Sequence, residues 1–201
     1  MLNYFYKVKL QGVIRMQKRN LTKEKIIQVA FLLADEIGLK QVTFPKIAEK
    51  LDIKYPSLYN HFTNMNNLKI EMTVYLLNKL NLKLMQRLIG KSGEDAIREF
   101  AYVYRDFAFE NNTAYGLFMS RPSTEDEELN RLAKETFNII HQVLDFYIKD
   151  KTLLVHKSRA LRSFLHGFVS LYSFGYLHNP INLEDSFKFM IDDFILSLSS
   201  K

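Results

Sequence analysis

The chain has 201 residues, 47% hydrophobic and 25% charged, with seven Gly, four Pro and no Cys. That is a folded composition with too few turn residues for a β sandwich or barrel, and it excludes disulfides, a thiol nucleophile and Cys-ligated metals; the reducing cytoplasm is the expected home. The net charge of +6 is uneven: residues 1–70 hold 12 Lys/Arg against 5 Asp/Glu, and the remainder holds 16 against 17, so a polyanion, nucleic acid first, is expected to meet the N-terminal third.

In chain order, a basic extension over 1–20 carries Lys7, Lys9, Arg15, Lys18 and Arg19, with Met16 a second candidate start. It lacks the small-residue cleavage site of a signal peptide. Thr22 then caps a helix striped by Ile26, Ile27, Ala30, Leu33, Ala34 and Ile37 and stopped by Gly38. A short helix from about Phe44 to Leu51, a turn over residues 52–55 and a second short helix from Pro56 to about Phe62 follow. A long helix beginning near Asn67 carries Leu68, Met72, Leu76, Leu80, Leu84 and Leu88 and ends at Gly90. Ser92 opens a helix striped by Ile97, Phe100, Ala101, Tyr104 and Ala108. Pro122 and the cap run Ser123 to Asp126 precede a stripe of Leu132, Thr136, Ile139, Val143 and Phe146. The next stripe is Ala160, Phe164, Phe168, Leu171 and Gly175. Pro180 and Asn182 to Asp185 open the last, with Phe187, Met190, Ile191, Phe194 and Leu198. No segment alternates as a half-buried strand does, and no apolar run approaches the roughly 18 residues of a membrane span. The fold class is all-α with about nine helices.

Residues 42–62 carry the chemistry. Two short helices joined by so short a turn pack at a steep angle, the helix-turn-helix geometry, whose second helix fits the major groove of duplex DNA. Ile47, Ala48 and Leu51 face inward, and Ala48 is small where the helices cross. Asp52 tolerates the left-handed backbone that a sharp turn requires, and Ile53 returns to the core. Lys54, Tyr55 and Ser57 hold the leading edge of the second helix, and Asn60 lies one turn on. Thr43 caps the first helix near a phosphate, and Lys46 is a further phosphate contact.

The run Thr43-Phe44-Pro45-Lys46-Ile47-Ala48, followed by Leu51-Asp52-Ile53-Lys54-Tyr55-Pro56-Ser57-Leu58-Tyr59-Asn60-His61-Phe62, resembles the TetR family of bacterial transcriptional regulators. The match extends over about 22–72. It implies that Tyr59 and His61 clasp the DNA backbone and that Leu58 and Phe62 are core. Two positions depart from many relatives: Met65 replaces a Lys, and Pro45 replaces a base-reading Arg. More weakly, Leu161-Arg162-Ser163-Phe164-Leu165-His166-Gly167 resembles a Trp-His-Gly subgroup of the family, with Arg162 in place of the Trp.

The five His show no metal-ligand spacing, and no nucleophile elbow or phosphate loop occurs, so neither an enzyme nor a cofactor is expected. The resemblance implies a helix-turn-helix DNA-binding domain at 21–66 and a helical ligand-binding and dimerisation domain at 67–201. It also implies a two-fold homodimer on an approximately palindromic double-stranded operator, released by a small molecule. Ser163, Gly167, Ser170 and Ser173, with the Phe187 to Leu198 stripe, are the expected dimer surface, an internal core being the competing reading of that stripe. Tyr104, His141, Arg162 and His166 are the polar candidates for the ligand, amid Phe100, Phe107, Tyr115, Phe118, Phe137, Phe164 and Phe168. The alternative is a TetR-like fold that no longer reads DNA and acts as a ligand-binding or membrane-associated protein.

Overall fold

The computed structural model describes residues 21–119 and 125–199. The basic extension over 1–20 and the Pro122-Ser123-Thr124 cap run lie outside the described residues, as does the side chain of Phe118. Among the described residues every regular element is helical. They are α1 (Lys23–Ile37), a 3-10 turn (Leu39–Gln41), α2 (Phe44–Leu51), a 3-10 helix (Tyr55–Asn60), α3 (Met65–Leu88), α4 (Gly93–Glu110), α5 (Asn112–Met119), α6 (Glu127–Leu144), α7 (Lys151–Ser173) and α8 (Leu183–Ser199).

Short polar side chains set the starts. Thr22 accepts from the Lys25 N–H at 3.3 Å, Asn64 from Asn67 at 2.9 Å, Asp126 from Leu129 at 2.8 Å, Asp150 from Leu153 at 2.7 Å and Asn182 from Glu184 at 2.8 Å. Each answers a backbone donor that the first turn leaves open. The Asn64 cap starts α3 two residues before the expected Asn67, and Asp150 is a cap that the apolar pattern did not reveal. Gly38 ends α1 at φ 85°, where its N–H donates to the Ala34 carbonyl at 2.9 Å.

Packing divides the chain into two units. The first holds the described residues up to Val74 together with those from Glu110 to 119. Its core is Ile26, Val29, Ala30 and Leu33 of α1, Ile47 and Ala48 of α2, Leu58 and Phe62, and Leu68 and Met72 of α3, all nearly or wholly buried. Leu51 and Ile53, expected inside, are only half-buried.

The second unit holds Tyr75–Phe109 and the described residues from Glu125 onward. Ile97, Phe100, Ala101 and Phe107 of α4, Leu132 and Ile140 of α6, and Leu161, Leu165 and Val169 of α7 form its core with Phe187, Ile191 and Phe194 of α8. Thr136 interrupts the α6 stripe for a reason: its hydroxyl donates to Asn81 Oδ1 at 2.6 Å, and Asn81 Nδ2 donates to the Leu132 carbonyl at 3.1 Å. The buried amide is thereby answered on both sides.

Two stripes need correction. On α7 the buried line is Ser158, Leu161, Leu165 and Val169, and the expected Phe164 and Leu171 are 43% and 45% exposed. On α8, Phe187, Ile191 and Phe194 belong to the core of their own chain, so that line is not available as a dimer surface. Phe146, placed at the end of the α6 stripe, lies beyond the helix and is exposed.

Candidate functional site

The turn between α2 and the 3-10 helix is built as its residues require. Asp52 is left-handed at φ 55°, ψ 49°, its N–H donates to the Glu49 carbonyl at 3.1 Å, and the Ile53 N–H reaches back to Ala48 at 3.0 Å. This paired closure turns the chain sharply within one residue. Lys54 is extended, and Pro56 sits in the first turn of the 3-10 helix, where its missing N–H costs nothing. The second helix of the motif is thus tighter and shorter than the expected α-helix from Pro56 to Phe62. With about three residues per turn, Ser57 and Asn60 share a face.

Only Leu58 of that segment is buried. Lys54, Tyr55, Tyr59 and Asn60 are exposed, and Ser57 and His61 half-buried. Tyr55 and Tyr59 are 51% and 54% exposed, large for rings on a short helix. Tyr59 is nevertheless placed: its ring meets buried Phe44 edge-on at 5.2 Å and Tyr55 at 6.4 Å. The aromatic chain runs from the core to the leading edge, so a core residue orients two rings that face solvent.

Thr43 occupies the N-cap of α2 but its side chain makes no capping hydrogen bond, which corrects the expectation. Pro45 removes the N–H of the second helical position. The Lys46 N–H at the third, the kind of donor taken at Thr22, Asp126 and Asp150, is present, and nothing in the structure explains why Thr43 does not take it. The exposed Thr43 hydroxyl is left for another acceptor or for an anion.

Charge is sorted in the same way. Lys50 is paired with Glu36 at 2.8 Å and Lys23 with Glu71 at 2.7 Å. Lys46 and Lys54 meet no carboxylate among the described residues, and both are exposed. Two unpaired ammonium groups flank the tyrosines, hydroxyls and amide that can read or grip a nucleic acid. Met65 is half-buried at the first residue of α3.

The polar ligand candidates also come together, within the second unit. The Tyr104 hydroxyl on α4 lies 3.0 Å from His166 Nε2 and 3.3 Å from Nδ1, with the rings edge-on at 5.4 Å. Burial, and then the positive charge of Arg162 one turn away, push the His166 pKa down to about 4. On α6 the rings of Phe137 and His141 lie 4.1 Å apart. The Arg162 guanidinium sits over Phe137, 5.9 Å from its centroid. Phe137 thus joins His141 to the α7 pair, a bridging role that helical spacing alone did not mark. A separate open groove of about 460 Å³ is lined by Tyr75, Asn78, Lys79, Leu82, Met85 and Glu135. It contains none of the four candidates.

Comparison with known proteins decides the family. Residues 26–72 match the family model for bacterial regulatory proteins of the tetR family, and residues 97–194 match the tetracyclin repressor-like C-terminal domain. The chain belongs to the TetR family. It is 28% identical over 180 residues to the HTH-type transcriptional regulator YobS of Bacillus subtilis (strain 168), covering 89% of this chain and 93% of that one. Two solved structures share the fold. One is a Rhodococcus sp. RHA1 protein with a TM-score of 0.80 at 11% identity, covering 92% of this chain and 100% of that chain. The other is a TetR variant from Acinetobacter baumannii AYE in complex with minocycline, with a TM-score of 0.68 at 20% identity, covering 90% and 100%. The all-α architecture is the TetR fold, the helix-turn-helix is that of a DNA-binding transcriptional regulator, and the family is one of regulators rather than enzymes. No helix of the described residues is long and apolar enough to cross a membrane.

Proposed function

We propose that this TetR-family chain is a repressor that binds an approximately palindromic operator as a homodimer in the cytoplasm and is released by a small ligand. The observation that carries the reading is the exposed recognition face, which pairs unneutralised Lys46 and Lys54 with solvent-facing Tyr55, Tyr59 and Asn60. Lys54, Tyr55, Ser57 and Asn60 are assigned to base edges. Thr43, Lys46, Tyr59 and His61 are assigned to phosphates. Residues 21–66 then serve as the DNA-binding domain and 67–201 as the ligand and dimerisation domain, with the arm over 1–20 as a basic extension.

The homodimer surface keeps the expected α7 side around Gly167 and replaces the expected α8 stripe. With Phe187, Ile191 and Phe194 inside their own subunit, the aliphatic and Phe side chains left largely to solvent on the last two helices are Leu153, Phe164 and Leu171 of α7 and Phe189 and Leu196 of α8. The last two are 74% and 68% exposed, a load that a second copy of the same face would cover. Two recognition helices held about one duplex turn apart, roughly 34 Å, then read the two halves of the site. A ligand that favours a dimer of different separation lowers operator affinity by its differential affinity for the two states.

Selection of binding sites from random duplexes tests the reading. The expected product is an inverted repeat whose affinity falls steeply with salt, since each phosphate contact releases a counterion. Recovery of no consensus, or binding indifferent to salt, refutes DNA reading and leaves the ligand-binding alternative.

A further inference from the structure

Away from the recognition segment, a buried unpaired nitrogen and an exposed guanidinium meet at one aromatic ring. His141 follows Phe137 by one turn of α6, and its Nε2 atom is buried with no hydrogen-bond partner among the described residues. Such an atom calls for a partner from outside the protein, a water or a ligand group, and His141 is only half-buried, so one can reach it. The guanidinium of Arg162 lies over the same ring; the residue is exposed, so this charge stands at the solvent edge of the cluster, and no carboxylate of the described residues pairs with it. Its neighbour His166 is held neutral and already engages Tyr104. The cluster therefore offers one positive charge, one unanswered ring nitrogen and one aromatic ring, drawn from α4, α6 and α7.

Each feature narrows the ligand. A single guanidinium beside a neutral imidazole matches one negative charge, and its planar fork suits a carboxylate. A phosphate dianion would find one cation where it needs more, and an organic cation would meet Arg162 unfavourably. A wholly apolar molecule would use neither the Arg162 charge nor the His141 nitrogen. The Phe137 ring favours a flat body.

We propose that this cluster binds an aromatic or conjugated monocarboxylate, its carboxylate on Arg162, its body against Phe137, and a hydrogen-bond partner brought to His141 Nε2. The regulatory consequence rests on the ligand-released repressor reading above, but the binding itself does not.

The test titrates the full-length chain without DNA against benzoate, benzamide and benzylamine, by calorimetry and by thermal melting. Benzoate is expected to bind at least tenfold more tightly than benzamide, and benzylamine not measurably. Arg162→Gln should lower benzoate to the benzamide level, with benzamide binding retained as proof of an intact site, and Arg162→Lys should restore part of the preference. His141→Phe, which keeps the ring contact, should weaken benzoate severalfold. Equal binding of benzoate and benzamide, a preference that survives Arg162→Gln, or no binding of any of the three overturns the proposal. Repeating the titration with operator present separates the two readings. Arg162-dependent benzoate binding that leaves operator affinity unchanged upholds the site and refutes ligand release.

Discussion

Gly167 offers a direct measurement of where the proposed dimer closes. It lies inside α7, and a Cβ placed there would meet nothing within 4 Å in its own chain. Glycine within a helix costs about 1 kcal/mol relative to alanine, so one subunit gains nothing from keeping it. Phe164 and Leu171 stand one turn before and after it on the same exposed face. If that face meets its two-fold copy, the missing side chain is what lets the helices approach. Gly167→Ala should then have two opposed effects. Each chain's own helix should become about 1 kcal/mol more stable, equally in monomer and dimer, which leaves association untouched. The added methyl, present twice by symmetry, should cost about 1–3 kcal/mol per copy in a close-packed contact, and a tenfold loss of dimer affinity needs only about 1.4 kcal/mol. Sedimentation equilibrium over a wide concentration range should show dimerisation weakened by tenfold or more, with denaturation of the dilute chain shifted towards greater stability. An unchanged or tighter dimer together with a raised melting temperature at every concentration would place Gly167 in water and send the search for the interface to another face.

Replacing Tyr55 with Ala should relax preference at one or two operator positions and cost about 1–3 kcal/mol on the cognate site; equal weakening on cognate and random duplexes would show that Tyr55 reads no base. Lys46→Ala should weaken all duplexes alike and reduce the log–log salt slope by about one, and an unchanged slope in the folded variant removes Lys46 from the footprint. His61→Ala should weaken cognate and random duplexes by the same factor, and a loss confined to the cognate site would move His61 from phosphate to base contact. His166 gives a stability signature with a definite sign: between about pH 6.5 and its folded pKa of about 4 the unfolded chain takes up a proton that the folded chain refuses, so stability should fall by of order 1–3 kcal/mol as pH drops through that window. Denaturation of His166→Asn should lack that component, and a native-minus-variant difference flat from pH 7 to 4 would refute the assignment.

The helix-turn-helix was legible in the sequence because each of its parts is a local decision. Asp52 adopts the left-handed backbone that the turn demands, Pro56 opens the second helix, and Leu58 and Phe62 close over Ile47 and Ala48 within a few residues of chain. Even there the local reading failed at Thr43, which stands at the N-cap while its hydroxyl takes no backbone donor. The ligand cluster was half legible. One-turn spacing pairs Arg162 with His166, but Tyr104 reaches His166 across 62 positions and Phe137 meets Arg162 from another helix. Asn81 and Thr136, 55 positions apart, form a buried polar pair for which no pattern within either helix prepares.

The two misread stripes fail for a further reason, and it bears on function. Periodicity registers which side of a helix avoids water, not what replaces the water. On a helix with one apolar face the two questions have the same answer: the α4 stripe read from spacing is buried throughout, and that of α1 is buried except for Ile37 at its end, which is half-buried. The helix α7 is apolar on two sides: Leu161, Leu165 and Val169 pack within the subunit, while Phe164 and Leu171 face outward one or two positions away. The α8 helix repeats the arrangement, with Phe187, Ile191 and Phe194 inside and Phe189 and Leu196 outside. Under the homodimer proposed above, the second apolar side of these two consecutive helices is the surface that a second copy would cover. It falls on the helices from which the family resemblance implies a dimer, although not on the α8 stripe first expected to form it.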